Sequence, residues 1–332
     1  LRAMQERGDL VQDEAGAWVE GPALDWASLP PRVEGIIQAR IGRLDVDLQT
    51  FLSVASVEGE TFTAQVAARV LGVKEWQALR SLSQELESRH RLVREQASLV
   101  VGGHRLARYR FAHALFQQHL YNGLGAGERA MLHAEIIRVL EALYGDHLEE
   151  AAVPLAHHCS EAGDLQNALK YFTLAGDVAL AAYASQEAEG YYRRALALEP
   201  PAPEEAQLLA NLGEALARQS RFQEAIATWR AGIEGHHALE DGDDLARLYA
   251  RSAWAARQAG DTVEALGLCV EGLARAGQGS DGPGRAHLLC ETARSYQHRA
   301  LREEGEPYAR QALEMAERLG DVELQVLSLA AY

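Results

Sequence analysis

LANLGEALARQSRFQEAIATWRAG, Leu209 to Gly232, is the stretch that decides the fold. Leu209, Leu212, Gly213 and Leu216 share one helical face, and after a polar break Ala225, Trp229 and Gly232 share another. A small residue, a large one four positions on and a small one three beyond that is helix spacing, and it suits helix pairs that pack closely. The same frame recurs as Ala168-Phe172-Ala175, Ala188-Tyr192-Ala195, Ala265-Cys269-Gly272 and Ala309-Leu313-Ala316. Self-similarity of this kind marks a stack of repeats.

Leu212-Gly213 in the first helix, with Ala225-x3-Trp229-x2-Gly232 in the second, resembles the tetratricopeptide (TPR) pattern, and the likeness extends over about residues 150–320. Successive lead alanines are separated by 20, 37, 40 and 44 residues, where the family's usual period is about 34. Longer helices or loops must absorb the difference. The expected connections are Pro200, Pro201 and Pro203, the acidic run Glu240 to Asp244, and Gly277 to Gly284.

Upstream of the repeats lies RYRFAHALFQQHLY, Arg108 to Tyr121. Phe111, Leu115, Phe116, Leu120 and Tyr121 mark a helix with one buried face, and His113 falls at its first turn. Free N–H groups and the positive dipole end at a helix start suit a phosphate. An isolated histidine there is also an ordinary cap or surface residue.

Residues 1–28 read as a helical fragment and then a hairpin, Asp9-Leu-Val against Ala17-Trp-Val around Glu14-Ala-Gly16. Pro30 and Pro31 introduce a helix with Val33, Ile36, Ile37, Ile41 and Leu44 as its stripe. A second helix carries Leu48, Phe51, Leu52 and Ala55 and stops at Glu58-Gly59. Thr63 is the expected N-cap of a third, Ala64 to Leu71, closed by Gly72. Lys74 to Arg89 continues with Trp76, Leu79, Leu82 and Leu86 on one face. Leu92-Val-Arg and Leu99-Val-Val then read as strands around Glu95 to Ser98, with Arg108 to Phe111 as a further strand. Helices followed by a small β wing is the order of a winged-helix domain. Arg89, Arg91, Arg94, Arg105, Arg108 and Arg110 make the wing basic, the one feature that favours DNA; the charge-balanced helix Lys74 to Arg89 argues for packing against a neighbouring domain instead.

The chain has 332 residues, enough for two or three domains or one solenoid. No run of 18 apolar residues suggests a membrane span. It starts at Leu1 with no signal-peptide order and ends at Tyr332 inside a helical pattern, so a piece of a longer protein is expected. Cys159, Cys269 and Cys290 are odd in number and lie in helical patterns, as expected of reduced, buried thiols in a cytoplasmic protein. The net charge of −16 is concentrated beyond residue 145, where 16 Lys and Arg face 30 Asp and Glu. That half suits basic peptides or simply a solvated face, and nucleic acid poorly.

Gly277-Gln-Gly279-Ser-Asp-Gly282 matches GxGxxG in form but has no strand before it and reads as a loop. The sequence holds no GxxxxGK loop, HExxH or paired CxxC. His157-His158-Cys159 and His236-His237 are adjacent positions about 100° apart on a helix, so neither makes a chelating face. No nucleophile with its base is recognisable, and no catalytic or metal-ligating residues are assigned.

Leu29 to Leu44, Ser53 to Gly59 and Arg110 to Tyr121 together resemble the segment that follows the ATPase core in bacterial signal-transducing STAND NTPases, both LuxR/MalT-like activators and cyclase-associated AAA-type ATPases. The resemblance implies a mainly α chain: residues 1–28 as the tail of an upstream ATPase module, 29–125 as a winged-helix-like domain, and 126–332 as a TPR-like superhelix of about five repeats, the last incomplete. It further implies that the winged helix folds back on the nucleotide site, where a histidine in a Met-His-Asp-like motif meets the ADP phosphate. Phe111-Ala112-His113-Ala114-Leu115 resembles that motif, with Ala112 for Met and Ala114 for Asp. His113, with Arg110 and Arg108, is the expected nucleotide-sensing set. ATP or ADP would sit in the ATPase module, with no cofactor in this chain. The repeats would take a protein or peptide partner or a small-molecule inducer. A constitutive TPR scaffold and a DNA-binding regulator acting through the wing are the alternatives.

Overall fold

The computed structural model describes residues 10–12, 18–20, 31–235, 242–277 and 281–331. It divides into two compact units, Leu1–Gly145 and Asp146–Tyr332. The helical fragment expected at the start, the turn Glu14 to Gly16, Pro30, and His236-His237 lie outside the described residues.

In the first unit, strands β1 (Leu10–Gln12) and β2 (Trp18–Glu20) form the expected antiparallel pair, Val11 opposite Val19. Helices α1 (Pro31–Ile41) and α2 (Val46–Glu58) follow. The α1 stripe is narrower than expected: Ile37, Ile41 and Leu44 are buried, whereas Ile36 is 62% exposed. In α2, Leu48, Phe51, Leu52 and Ala55 are all buried, Asp45 caps the start through Leu48 N, and Gly59 ends it at φ 124°.

Strand β3 (Thr61–Thr63), unforeseen in the sequence, leads into α3 (Ala64–Val70). Thr63 holds the N-cap position, but its side chain caps nothing. Helix α4 (Glu75–Ser81) runs on into a wide π-helical segment, Leu82–Arg89, in which His90 N bonds back to Glu85 O at 2.8 Å. Trp76 does not join the apolar face. It sits in the first turn of α4 and is 59% exposed, and the buried face begins at Ala78 and continues through Leu82 and Leu86.

Strands β4 (Val93–Glu95), β5 (Leu99–Val101), β6 (His104–Leu106) and β7 (Arg108–Phe111) complete the β part. The strands expected on either side of Glu95 to Ser98 are present but do not pair with each other. The three-stranded sheet has the order β3-β7-β4, and β5 pairs only with β6. Gly102 (φ 53°) and Gly103 (φ 82°) form the two-residue turn between β5 and β6, a conformation that needs positive φ at both positions and matches the strand twist. β7 alternates strictly, with Tyr109 and Phe111 buried and Arg108 and Arg110 outward.

Helices α5 (Ala114–Gly123) and α6 (Ala126–Tyr144) close the unit: Phe116 and Leu120 of α5 join the α1–α2 core, and α6 packs on α2 and α3. Helix α6 thus belongs with the first unit, whose end at Gly145 falls beyond the boundary expected after residue 125.

The second unit is entirely helical among its described residues: α7 (Ala152–Ala162), α8 (Leu165–Ala181), α9 (Ser185–Leu196), α10 (Ala202–Arg218), α11 (Phe222–Gly235), α12 (Gly242–Gln258), α13 (Thr262–Arg275), α14 (Pro283–His298), α15 (Arg302–Leu319) and α16 (Val322–Leu329). Each packs on the next, and α12 also packs on α14. The lead alanines Ala168, Ala188, Ala225, Ala265 and Ala309 are all fully buried. Ala168 and Ala188 are so close in sequence because they stand on consecutive helices, α8 and α9, whereas Ala225, Ala265 and Ala309 follow on alternate ones, α11, α13 and α15. All three expected connections are partly helix. Pro203 lies in the first turn of α10, Asp243 and Asp244 lie in the first turn of α12, and Pro283 and Gly284 open α14, positions where acidic residues and proline suit free N–H groups.

Glycine decides how closely these helices approach. A Cβ on Gly213 of α10 would fall within the indole of Trp229, and one on Gly176 of α8 within the ring of Tyr192. Trp229 and Tyr192 are fully buried, and each finds a polar partner: Trp229 Nε1 donates to Ala210 O at 3.0 Å, and Tyr192 Oη to Asp177 Oδ1 at 2.8 Å. Cys159, Cys269 and Cys290 are buried and in no disulfide, filling small core spaces.

Candidate functional site

The alternation of β7 turns Arg110 outward, opposite Arg94 of β4 and Thr61 of β3. Two like charges side by side need a counter-charge, and Glu60 supplies it: Arg110 donates Nε and Nη2 to Glu60 Oε1 at 2.9 and 2.7 Å. The chain then turns through Ala112, and His113 takes the N-cap position of α5 with extended backbone (φ −147°, ψ 135°), exposed, its imidazole capping nothing. Glu60, Arg94, Gln96, Arg110 and the segment Phe111 to Ala114 line a shallow cavity of about 450 Å³.

Of the three expected sensing residues, His113 and Arg110 meet in this cavity and Arg108 does not. Arg108 acts on Glu58 instead. Burial pushes the Glu58 carboxyl up to about 7, opposed by its hydrogen bond from Thr63 N at 3.0 Å and by the Arg108 charge. Arg94 and Gln96 complete the cavity, and only Arg94 had a signal in the sequence, as one of the wing arginines. The wing's basic character is reduced by pairing: Arg89 meets Glu85 at 3.1 Å, and Arg110 meets Glu60.

A larger groove opens within the second unit, a cavity of about 730 Å³ between α10, α11, α12, α14 and α16. Helix α12 presents Arg247, Ala250, Arg251 and Trp254 to it, and α14 presents His287, Glu291 and Arg294. Both sets follow i, i+3 and i+4 spacing, so each is one helical stripe. That polar stripe is the signal legible in the sequence, and the stronger alanine pattern overlies it.

The carboxylates of the groove are largely committed. Glu291, 11% exposed, accepts from Arg257 at 3.1 Å and Arg294 at 3.2 Å, and Glu214 accepts from Arg218 at 2.9 Å. Arg247 pairs with Asp243 at 3.3 Å. Asp243 also accepts from Gly284 N at 3.0 Å and Arg285 N at 3.1 Å, so one carboxylate joins the start of α12 to the start of α14. Arg251 differs: among the described residues no hydrogen bond or ion pair holds its guanidinium. Burial lowers its pKa, with Glu214 opposing and the neighbouring Arg247 and Arg218 adding to the fall. Burial likewise lowers the pKa of His287, favouring a neutral ring.

Among the described residues no group of three or more His, Cys, Asp or Glu side chains could hold a metal ion, and no helix is long and apolar enough to cross a membrane. His157 is exposed and His158 buried, as their angular separation requires.

No protein-family model matches the chain, and no curated protein does. Several solved structures are similar at low identity. BtubC from P. vanneervenii shares 14% identity at a TM-score of 0.44, over 59% of this chain and 83% of that one. YrrB, described as a TPR protein with an unusual peptide-binding site, shares 17% at 0.42, over 59% and 90%. A STAND protein with a tetratricopeptide repeat sensor, PH0952 from Pyrococcus horikoshii, shares 10% at 0.44, over 92% of this chain and 56% of its own. The paired helices with alanine and glycine contacts define the chain as a mainly helical protein with TPR-like repeats, and that description rests on the helices themselves.

Proposed function

We propose that the second unit captures a protein or peptide partner in the groove between α10, α12, α14 and α16. The observation that carries this is the groove itself, built from the inward stripes of successive helices and lined by Trp254, Leu327 and a set of arginines and carboxylates. Stacked helix pairs expose such a surface as a consequence of their geometry, and its volume lies in the range of specific binding sites. A photo-crosslinking side chain placed at Ala250 or Leu327 tests it. The expected result is one discrete crosslinked partner from those positions and none from the exposed position Val263 on α13. Equal labelling from all three would dismiss the groove.

For the first unit we infer a winged-helix arm of a STAND-type switch, with the nucleotide held by an ATPase module outside this chain and no catalytic step assigned to the chain itself. The order α2, β3, α3, α4, then the β3-β7-β4 sheet and the β5–β6 hairpin supports the winged-helix reading. The meeting of His113, Arg110 and Arg94 in one cavity supports an anionic neighbour such as the ADP phosphates. In a chain that includes the ATPase module, His113→Ala should release ADP faster and raise basal output. Unchanged ADP retention would remove His113 from the switch.

A further inference from the structure

Among the described residues no hydrogen bond or ion pair holds Arg251, a cation that lines the groove. Asp146 to Tyr332 is an acidic segment, 16 Lys and Arg against 30 Asp and Glu, and its groove sets Arg247, Arg251 and Arg294 beside Glu214, Glu291 and Glu323. Arg247 and Arg294 are tied to Asp243 and Glu291. Arg251 stands one turn beyond Arg247 on the same stripe of α12 and is partly buried, where water serves it poorly. The carboxylate that acts on it most strongly, Glu214, is already engaged by Arg218 at 2.9 Å, and Asp244, which also acts on it, lies 3.9 Å from Arg247. A guanidinium offers a planar fork of donors that matches a carboxylate in two parallel hydrogen bonds. Trp254, one helical turn beyond Arg251, lines the same cavity, its ring held edge-on by Phe222 at 5.8 Å between centroids.

We propose that this groove recognises a peptide through an acidic side chain, Asp or Glu, seated on Arg251, with an adjacent apolar residue against Trp254. The inference rests on the reading of the groove as a partner site and adds what the partner must carry. Glu214 and Glu291 are already engaged by arginines, and Glu323, the remaining carboxylate lining the groove, is exposed on α16 and forms no ion pair with Arg251; the acidic exterior repels long polyanions. A short acidic motif can therefore enter where a nucleic acid backbone is refused.

A random dodecapeptide phage library selected on the full chain tests the proposal, followed by synthesis of the winning peptide. Selected sequences should be enriched in Asp or Glu beside Trp, Phe or Leu. Changing that acid to its amide should weaken binding at least about tenfold on the native chain and little on Arg251→Gln, with Arg251→Lys between them, because a point charge replaces the fork. Unchanged thermal melting of both variants shows that the fold is intact. A consensus without acidic residues, or an amide penalty equal on the native chain and on Arg251→Gln, overturns the carboxylate assignment and leaves the groove a peptide site. Recovery of no peptide, or of peptides whose binding survives Ala250→Trp, overturns the groove as a partner site and this inference with it.

Discussion

The indole of Trp229 occupies the space that a side chain on Gly213 would need, so α10 and α11 meet at a distance only glycine permits. The Trp229 N–H donates to Ala210 O at 3.0 Å and fixes the ring in that place. One pair of residues thereby sets both the approach and the rotation of two helices.

Gly213→Ala should consequently destabilise the second unit, although alanine favours a helix by about 1 kcal/mol. Overpacking of a filled core costs about 1–3 kcal/mol, so the melting temperature should fall. Gly190 of α9 meets nothing within 4 Å of its added Cβ. Gly190→Ala should raise the melting temperature, and a rise for both variants would contradict the packing argument.

Asp243 should matter more than its place in an acidic run suggests. Its carboxylate accepts from Gly284 N and Arg285 N and so caps α14 from a different helix. Asp243→Ala should cost about 1–2 kcal/mol, in the range of a lost N-cap, measured by urea unfolding. Asp243→Asn keeps an acceptor and loses the charge, so it should cost less. Equal costs for the two would mean that hydrogen bonding at this site is immaterial.

Glu58 gives the first unit a pH dependence. Its carboxyl is raised to about 7 by burial, so between pH 4.5 and 7 the folded state binds more protons than the unfolded state. Stability then falls as pH rises through that window. Full conversion of the shift gives about 3 kcal/mol, an upper bound because the side chain is partly exposed. Glu58→Gln retains an oxygen for Thr63 N and should flatten the dependence in thermal melts between pH 5 and 8. A variant as pH-sensitive as the native chain would assign the effect elsewhere.

The thiols should be inert while the protein is folded. Burial pushes Cys269 and Cys290 up to about 11, leaving almost no thiolate at neutral pH. Iodoacetamide at pH 8 should label neither residue in native buffer and both in denaturant, as read by peptide mass spectrometry. Native labelling of Cys269 would show that its helices open on the labelling timescale.

The amino-acid order by itself determined the helices of the second unit and the faces they bury, because small-large-small spacing is a local property of one helix. It likewise placed β7 and the start of α5, through the alternation Arg108-Tyr109-Arg110-Phe111 followed by an i, i+4 pattern. It left open which strand pairs with which: β4 reaches past β5 and β6 to β7, a choice made by the Gly102-Gly103 turn and by the shared core under Tyr109 and Phe111. It also left open the fate of each charge. Arg247, Arg251 and Arg294 are alike in sequence, and only the arrangement of α10, α12 and α14 gives two of them an ion pair and leaves Arg251 in none among the described residues. Spacing along a chain dictates which side chains share a face, whereas the partner each face meets depends on contacts between residues far apart in sequence, which only the folded backbone brings together.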